Sequence, residues 1–297
     1  MIATTRTESA LGVWTVTHFT PHAADPLADV LERIWLFSGR TALPGERVFP
    51  DGSVQIVAQL DGDRDARYRP AGPGPCDPYP PLSISGLRTG TTAILAPERA
   101  VRVLGIQLVP TGAFRLLRTS LHALTERDLD LHDVIGRAAA ELGERCAGAR
   151  DDGACVRAAI AWVASRLERG SDPAAPVVRA LRAIVEGGGA DAIADLDALS
   201  DRSRSRFTAA FRDQVGVAPK RFARLVRFRN ALELVQHSPA SLGEIALRAG
   251  YYDQPHLNAE FRVHAGMTPQ QFRRARHFPH SASIAEQIFQ DEPAAAM

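Results

Sequence analysis

Cysteine is scarce. The 297-residue chain has three, Cys76, Cys146 and Cys155, with no C-x-x-C pair, which excludes a disulfide framework and a zinc knuckle. Long apolar runs are missing as well. No 18 consecutive apolar residues occur, and the longest charge-free run, Ser9 to Ala24, is interrupted by Thr, His and Pro, so no membrane-spanning helix is expected. The first residues lack the apolar segment of a secretory signal, and the expectation is a cytoplasmic protein. Lysine is nearly absent, Lys220 being the only one. Catalytic signatures are lacking too: no G-x-S-x-G, no H-E-x-x-H, no G-x-x-x-x-G-K and no dinucleotide fingerprint. His18 and His22 flank Pro21 with no third ligand nearby, and the three cysteines are too scattered to hold a metal together. Neither an enzyme nor a cofactor is expected.

What is present is ordinary for a soluble chain of two domains: 45% hydrophobic and 23% charged residues. The net charge of +1 hides a segregation. From Pro176 to Phe278 there are 16 basic against 10 acidic residues, net +6, and the remainder has 19 against 24, net −5. A basic segment joined to an acidic one suggests a polyanion-binding module attached to something with another task.

Short strands are predicted at Val13 to Phe19, Ser53 to Leu60, Leu82 to Ser85, Thr91 to Leu95 and Val101 to Val109, separated by Gly and Pro clusters, densest from Pro70 to Pro81. Helices are predicted at Ala113 to Thr119, Leu131 to Ala147 and Ala154 to Arg169. In the last, Val156, Ile160, Val163 and Leu167 form an apolar stripe at steps of 4, 3 and 4. A linker runs from Gly170 to Pro176. The expected fold class is α+β: a β-rich barrel or jelly-roll-like domain over 1–110, a helical connector packing on it over 111–170, an all-α double helix-turn-helix domain over 176–278, and a tail over 279–297.

Inside the basic segment, residues 50 apart correspond: Phe207 with Leu257, Phe211 with Phe261, Arg212 with Arg262, Gly216 with Gly266, Pro219 with Pro269, Phe222 with Phe272 and Arg224 with Arg274. In each copy an apolar pair at i and i+4 buries one helix face. A Gly follows where a left-handed residue closes that helix, and Pro opens the next. Shorter helices are predicted upstream, Ile193 to Leu199 and Leu242 to Ala249, joined by Ser200 to Arg202 and by Gly250 to Asp253. That is helix-turn-helix geometry, twice. Burial of one face leaves the other for DNA: Arg202, Arg204, Ser205, Arg206, Thr208, Ala209 and Arg212 in the first copy, and Gln254, Pro255, His256, Asn258, Ala259 and Arg262 in the second. Lys220 to Gln236 forms a strut of about 25 Å between units that could enter successive major grooves about 34 Å apart. On the strut Lys220, Arg221, Arg224 and Arg227, and at the end Arg273, Arg274 and Arg276, are candidates for phosphate contact.

The stretches Leu242 to Leu257 and Phe261 to Phe272 closely resemble the signature of AraC/XylS-type transcription regulators, and Phe211 to Phe222 resembles the first unit of that family. The resemblance covers about Val177 to Arg276 and implies a DNA-binding domain of about seven helices that controls transcription. Where the family often places a long polar reader, this chain has Ala209 and Ala259, which leaves methyl contact or DNA shape for readout there. More weakly, Phe49-Pro50-Asp51-Gly52 leading into Ile56-Val57, and Gly105 to Leu108 followed by Thr111-Gly112-Ala113, resemble the β-rich domain of a subset of these regulators, which implies sensing of a small molecule or dimerisation. The partners implied are double-stranded promoter DNA, RNA polymerase if the chain activates, a small-molecule effector and a second copy of the chain. Two competing readings are an enzymatic β-domain that the DNA module localises, and a dimeric scaffold pairing through the Val156 to Leu167 stripe.

Overall fold

A computed structural model describes residues 1–9, 12–41, 45–61, 67–70, 77–95, 99–168, 170–189, 201–274 and 286–287. The predicted helix Ile193 to Leu199, Cys76, Arg276 and most of the Pro-rich loop lie outside the described residues.

The chain opens as antiparallel strands β1 (Ile2–Ser9), β2 (Gly12–Phe19) and β3 (Leu31–Thr41), then alternates between two sheets. One sheet has the order β1-β2-β3-β10-β5-β8-β11, with β5 (Val54–Asp61), β8 (Leu82–Ser85), β10 (Val101–Leu108) and β11 (Asp128–Asp130). The other runs β4-β9-β6-β7, with β4 (Gly45–Val48), β6 (Arg67–Pro70), β7 (Asp77–Pro78) and β9 (Thr92–Leu95), and β12 (Glu286–Gln287) beside β4. Successive strands thus cross from sheet to sheet in the manner of a jelly roll, without closing a barrel. At the centre Ile106 lies opposite both Ile34 and Ile56. All three are buried, and such cross-strand apolar pairs fix the register.

Helices cover this sheet: α1 (Pro110–Leu117), α2 (Leu131–Ile135), α3 (Arg137–Ala147) and α4 (Asp152–Leu167), with a 3₁₀ turn at Leu121–Ala123. The single helix expected from Leu131 to Ala147 is two, because Gly136 adopts φ 56° and breaks the ladder. The α4 stripe faces inward. Val156, Val163 and Leu167 are buried, α4 packs on β2 and β3, and Trp162 Nε1 donates to Ala138 O at 2.9 Å to tie α4 to α3. The stripe therefore serves its own domain and is not available to a partner helix.

Then come α5 (Ala175–Glu186), α6 (Asp201–Val215), α7 (Pro219–His237), α8 (Leu242–Arg248), α9 (Gln254–Ala265) and α10 (Pro269–Arg274). Their apolar residues divide between two clusters, each of which includes residues of the N-terminal half. Phe211, Val215, Val217 and Phe222 share one continuous cluster with Leu87, Leu121 and the sheet. A second cluster gathers Phe228, Ile245, Tyr251, Leu257, Phe261 and Phe272, and it includes Phe49 from the loop after β4. Phe49 meets Phe272 edge-on with centroids 5.6 Å apart. No helix among the described residues is long and apolar enough to cross a membrane.

Behind Phe49 a buried polar network holds the loop. Asp51 accepts from Ser53 N at 2.9 Å and Ser53 Oγ at 2.7 Å, and also from Gln107 Nε2. Gln107 donates to Glu32 Oε2 at 3.0 Å and accepts from Arg33 Nε at 2.5 Å. From α7, Arg229 Nη1 reaches Glu32 Oε1 and Asp51 O, each at 3.4 Å. Burial pushes Glu32 up to about 7; Arg229 opposes the shift and Asp51 adds to it.

Two predictions follow from this packing. Phe228 lies against Phe261 at 5.3 Å and is fully buried, so Phe228→Ala is expected to cost about 3–5 kcal/mol in urea unfolding. Because Glu32 binds its proton more tightly folded than unfolded, its contribution favours the fold at low pH and fades as pH rises from the ordinary carboxylate range to about 7. Glu32→Gln is therefore expected to gain on the wild type between pH 5 and pH 8 by roughly 2 kcal/mol, read from denaturation midpoints; the Glu32 side chain is 24% exposed, which moderates the effect.

Candidate nucleic-acid interface

The second helix-turn-helix is built by local rules. Ser241 caps α8 in a capping box: Ser241 Oγ accepts from Glu244 N at 3.3 Å and Glu244 Oε2 accepts from Ser241 N at 2.9 Å. The capping hydrogen bonds from Ser241 hold the Glu244 carboxyl below its ordinary range. Gly250, at φ 78°, turns the chain, and Tyr251 N closes back on Ala246 O at 2.8 Å. Asp253 then caps α9 by accepting from His256 N at 2.8 Å, and Pro255 occupies its first turn. The helix ends at Gly266, φ 70°, whose N–H bonds Arg262 O at 3.0 Å. In the first unit α6 ends the same way, Gly216 at φ 103° donating to Arg212 O at 2.9 Å. Both closures fall where the 50-residue repeat places them.

The α9 helix buries the predicted face through Leu257 and Phe261, joined by Ala265. On α6 the predicted pair divides, Phe211 being fully buried and Phe207 half-buried against the same cluster, with Val215 buried beside them. The opposite faces are exposed: Ser205, Arg206, Ala209 and Arg212 on α6, and Gln254, Pro255, His256, Ala259 and Arg262 on α9, with Arg204, Thr208 and Asn258 half-buried. Arg202 lies in the first turn of α6. His256 is partly occupied at home, its Nδ1 accepting from Tyr252 N at 3.4 Å while its ring meets Tyr251 edge-on.

The helix α7 joins the units without a break over 19 residues, a length of about 28 Å. Its cations divide. Lys220 is exposed. Arg221 Nη2 donates to Thr89 Oγ1 at 2.7 Å and sits 3.5 Å from Glu126. Arg224 grips Glu260 of α9 with two hydrogen bonds of 2.6 and 3.0 Å, and Arg227 donates to Gly189 O and lies over the Tyr251 ring. Arg273 donates to Val235 O and Ala240 O, tying α10 to the end of α7; it and Arg274 are both exposed. Burial works against ionisation of Glu260, yet the Arg224 hydrogen bonds and charge hold its carboxyl below the ordinary value.

The N-terminal half grips both units from behind. His122 Nδ1 and Thr125 Oγ1 donate to Gly216 O at 3.1 and 2.9 Å, at the end of α6. At the other unit, Thr91 Oγ1 donates to His264 O at 2.8 Å, and His264 Nδ1 donates to Thr89 O at 2.6 Å. Burial lowers the pKa of His264, which is consistent with a neutral ring carrying its proton on Nδ1. These docking residues, Thr89, Thr91, His122, Thr125 and His264, carry no sequence signal, because each acts through one long-range contact.

Residues 199–275 match the family model described as a helix-turn-helix domain, and residues 17–130 match a domain of unknown function (DUF6597). The HTH-type transcriptional activator RhaS of Escherichia coli K12 is 35% identical over 86 residues, which is 29% of this chain and 30% of that protein. The chain therefore spans less than a third of the curated relatives it matches. Among solved structures, ToxT from Vibrio cholerae is 10% identical, with 81% of this chain and 97% of that chain covered and a TM-score of 0.43. The C-terminal domain of AraT from Geobacillus stearothermophilus is 24% identical over 36% of this chain and 89% of that one, with a TM-score of 0.32. With the second unit's caps and both closing glycines in place, the match makes residues 199–275 of this chain a helix-turn-helix domain.

Proposed function

We propose that the chain is a sequence-specific transcription regulator that binds promoter DNA in the cytoplasm through α6 and α9, set in successive major grooves. The observation that supports this reading is that the predicted reading faces of both helices are largely exposed while their C-terminal ends are hydrogen-bonded to the N-terminal half. Arg206, Arg212, Gln254 and Arg262 are the readers. Lys220 and Arg274, exposed at the start of α7 and the end of α10, contact phosphates and make affinity fall with salt. Arg221, Arg224 and Arg273 hold the frame. With Ala209 and Ala259 in mid-helix, part of the specificity comes from methyl contacts and DNA shape.

The chain acts by binding, not by catalysis. Residues 1–110 and the connector 111–170 form the sensing half, which takes a small-molecule effector or a second copy of the chain, and the 176–278 half meets RNA polymerase when it activates. The test uses a DNA site selected from a random pool. Arg206→Ala combined with Gln254→Ala is expected to keep the wild-type circular dichroism and lose preference for that site, each lost base contact being worth about 1–3 kcal/mol. Unchanged site selection by a folded double variant overturns the assignment.

A further inference from the structure

We infer that His264 is a positioning residue through which the N-terminal half sets the angle of the reading helix α9, with Thr89 and Thr91 holding it from that half. The inference rests on α9 being a DNA-contacting helix, as proposed above. The imidazole lies in the last turn of α9 and is 3% exposed. It touches three parts of the molecule at once. Its Nδ1–H donates to Thr89 O at 2.6 Å, and its ring packs on Phe228 of the strut with centroids 5.0 Å apart. Its Nε2 faces Glu260, one turn earlier, at 3.7 Å, beyond hydrogen-bond reach. The carbonyl of the same residue accepts from Thr91 Oγ1 at 2.8 Å. A ring without a donor would fill this space equally well. The two hydrogen bonds, one from the side chain and one to the backbone, also fix how the helix is turned about its axis.

The loop that His264 meets is braced. Gly86 N donates to Arg127 O at 3.0 Å and Glu126 N to Leu87 O at 3.1 Å, which continues the pairing of β8 with β11 past Ser85 and Asp128. Arg88 pairs with Asp128. Glu126, at φ 61°, accepts through its carboxylate from both the N–H and the hydroxyl of Thr89. Arg221, at the start of the strut, donates to the same hydroxyl at 2.7 Å. Thr89 is thus a junction of the sheet edge, the strut and α9, and a shift of that edge reaches α9 through one carbonyl. Glu260 completes the path, since its two hydrogen bonds from Arg224 tie the same stretch of α9 back to the strut.

The first unit is built differently at the matching position. Gln214, 50 residues before His264, accepts from Ala174 N at 2.8 Å and so serves the start of α5. The hydrogen bonds of His122 and Thr125 fall on the Gly216 carbonyl, just past the last residue of α6. Loss of the His264 contact therefore loosens α9 and leaves α6 as it is. A helix that rocks in its groove spreads its side chains over several base geometries, so discrimination falls under α9 alone.

The test uses the full chain and the DNA site selected from the random pool. The base pairs under each helix are marked by the preferences that Gln254→Ala and Arg206→Ala separately abolish. His264→Phe keeps a ring on Phe228 and removes the donor. Thr91→Val removes the hydroxyl that holds the His264 carbonyl, from a buried residue 173 positions away that DNA does not reach. Competition binding is read base pair by base pair, beside circular dichroism. Each variant is expected to lose discrimination roughly tenfold at the α9 base pairs, the weight of one hydrogen bond, and to keep it at the α6 base pairs. His264→Asn, whose amide donates from the position of Nδ1, is expected to restore most of it. Equal loss under both helices, or unchanged discrimination in either folded variant, overturns the inference and leaves the proposed function standing. A wild-type chain that selects no site overturns both. If His264→Phe does not fold, Thr91→Val decides the matter by the same comparison.

Discussion

The architecture depends on one insertion: the Phe49 ring, carried on the loop after β4, enters the apolar core of the second helix-turn-helix and meets Phe272 edge-on. A phenylalanine offered from a loop would be costly to order unless the loop were fixed first. Asp51 fixes it, through Ser53 and through Gln107 at the centre of the sheet. Gly52 lets the backbone lie against Phe222 of the strut, where a Cβ would come within 3.3 Å of the ring. Sheet, loop and strut are thereby one mechanical piece, and the position of α9 is set from a strand about 200 residues earlier in the chain.

This frame explains why arginine serves two ends in the basic segment. A guanidinium offers several donors in a rigid fork, so it can satisfy backbone carbonyls and carboxylates at element junctions as well as contact phosphates. Arg224 spans from the strut to α9, Arg273 seals the end of the strut, and Arg229 and Arg221 reach into the other half of the molecule. These arginines stay about half exposed while engaged, and further exposed cations stand on α6 (Arg206, Arg212), on α9 (Arg262) and at helix ends (Lys220, Arg248, Arg274). Much of the net charge of the segment is thus spent on rigidity, and the field available to a polyanion comes from fewer residues than composition suggests.

The helical half was legible because its devices are local. Gly216, Gly266, Pro219, Pro269 and the apolar pairs act within one or two turns, so the repeat exposes them, and the inward stripe of α4 is readable for the same reason. The β-half was legible only where strands alternate or run apolar. The polar run of β1 hid an edge strand, and β3 was hidden by Glu32 and Arg33, charged residues whose partners Gln107 and Arg229 lie far away in sequence. The exposed faces of α6 and α9 follow from their buried faces. Which arginines are tied to protein acceptors does not, since that depends on groups such as Glu260 and the carbonyl of Val235 that no spacing announces.

One consequence concerns the apolar cluster shared by α6, α7 and the sheet. Regulators of modular construction can exchange their DNA-reading parts as long as each part brings its own complete interior. Here Phe211, Val215, Val217 and Phe222 are roofed by Leu87 and Leu121 of the other half, so a transplanted reader would arrive with its flank bare. The two halves are consequently bound to change together: recombination at the linker would strand apolar surface on both sides of the cut, and inheritance of the pair as a unit is the route that keeps it covered.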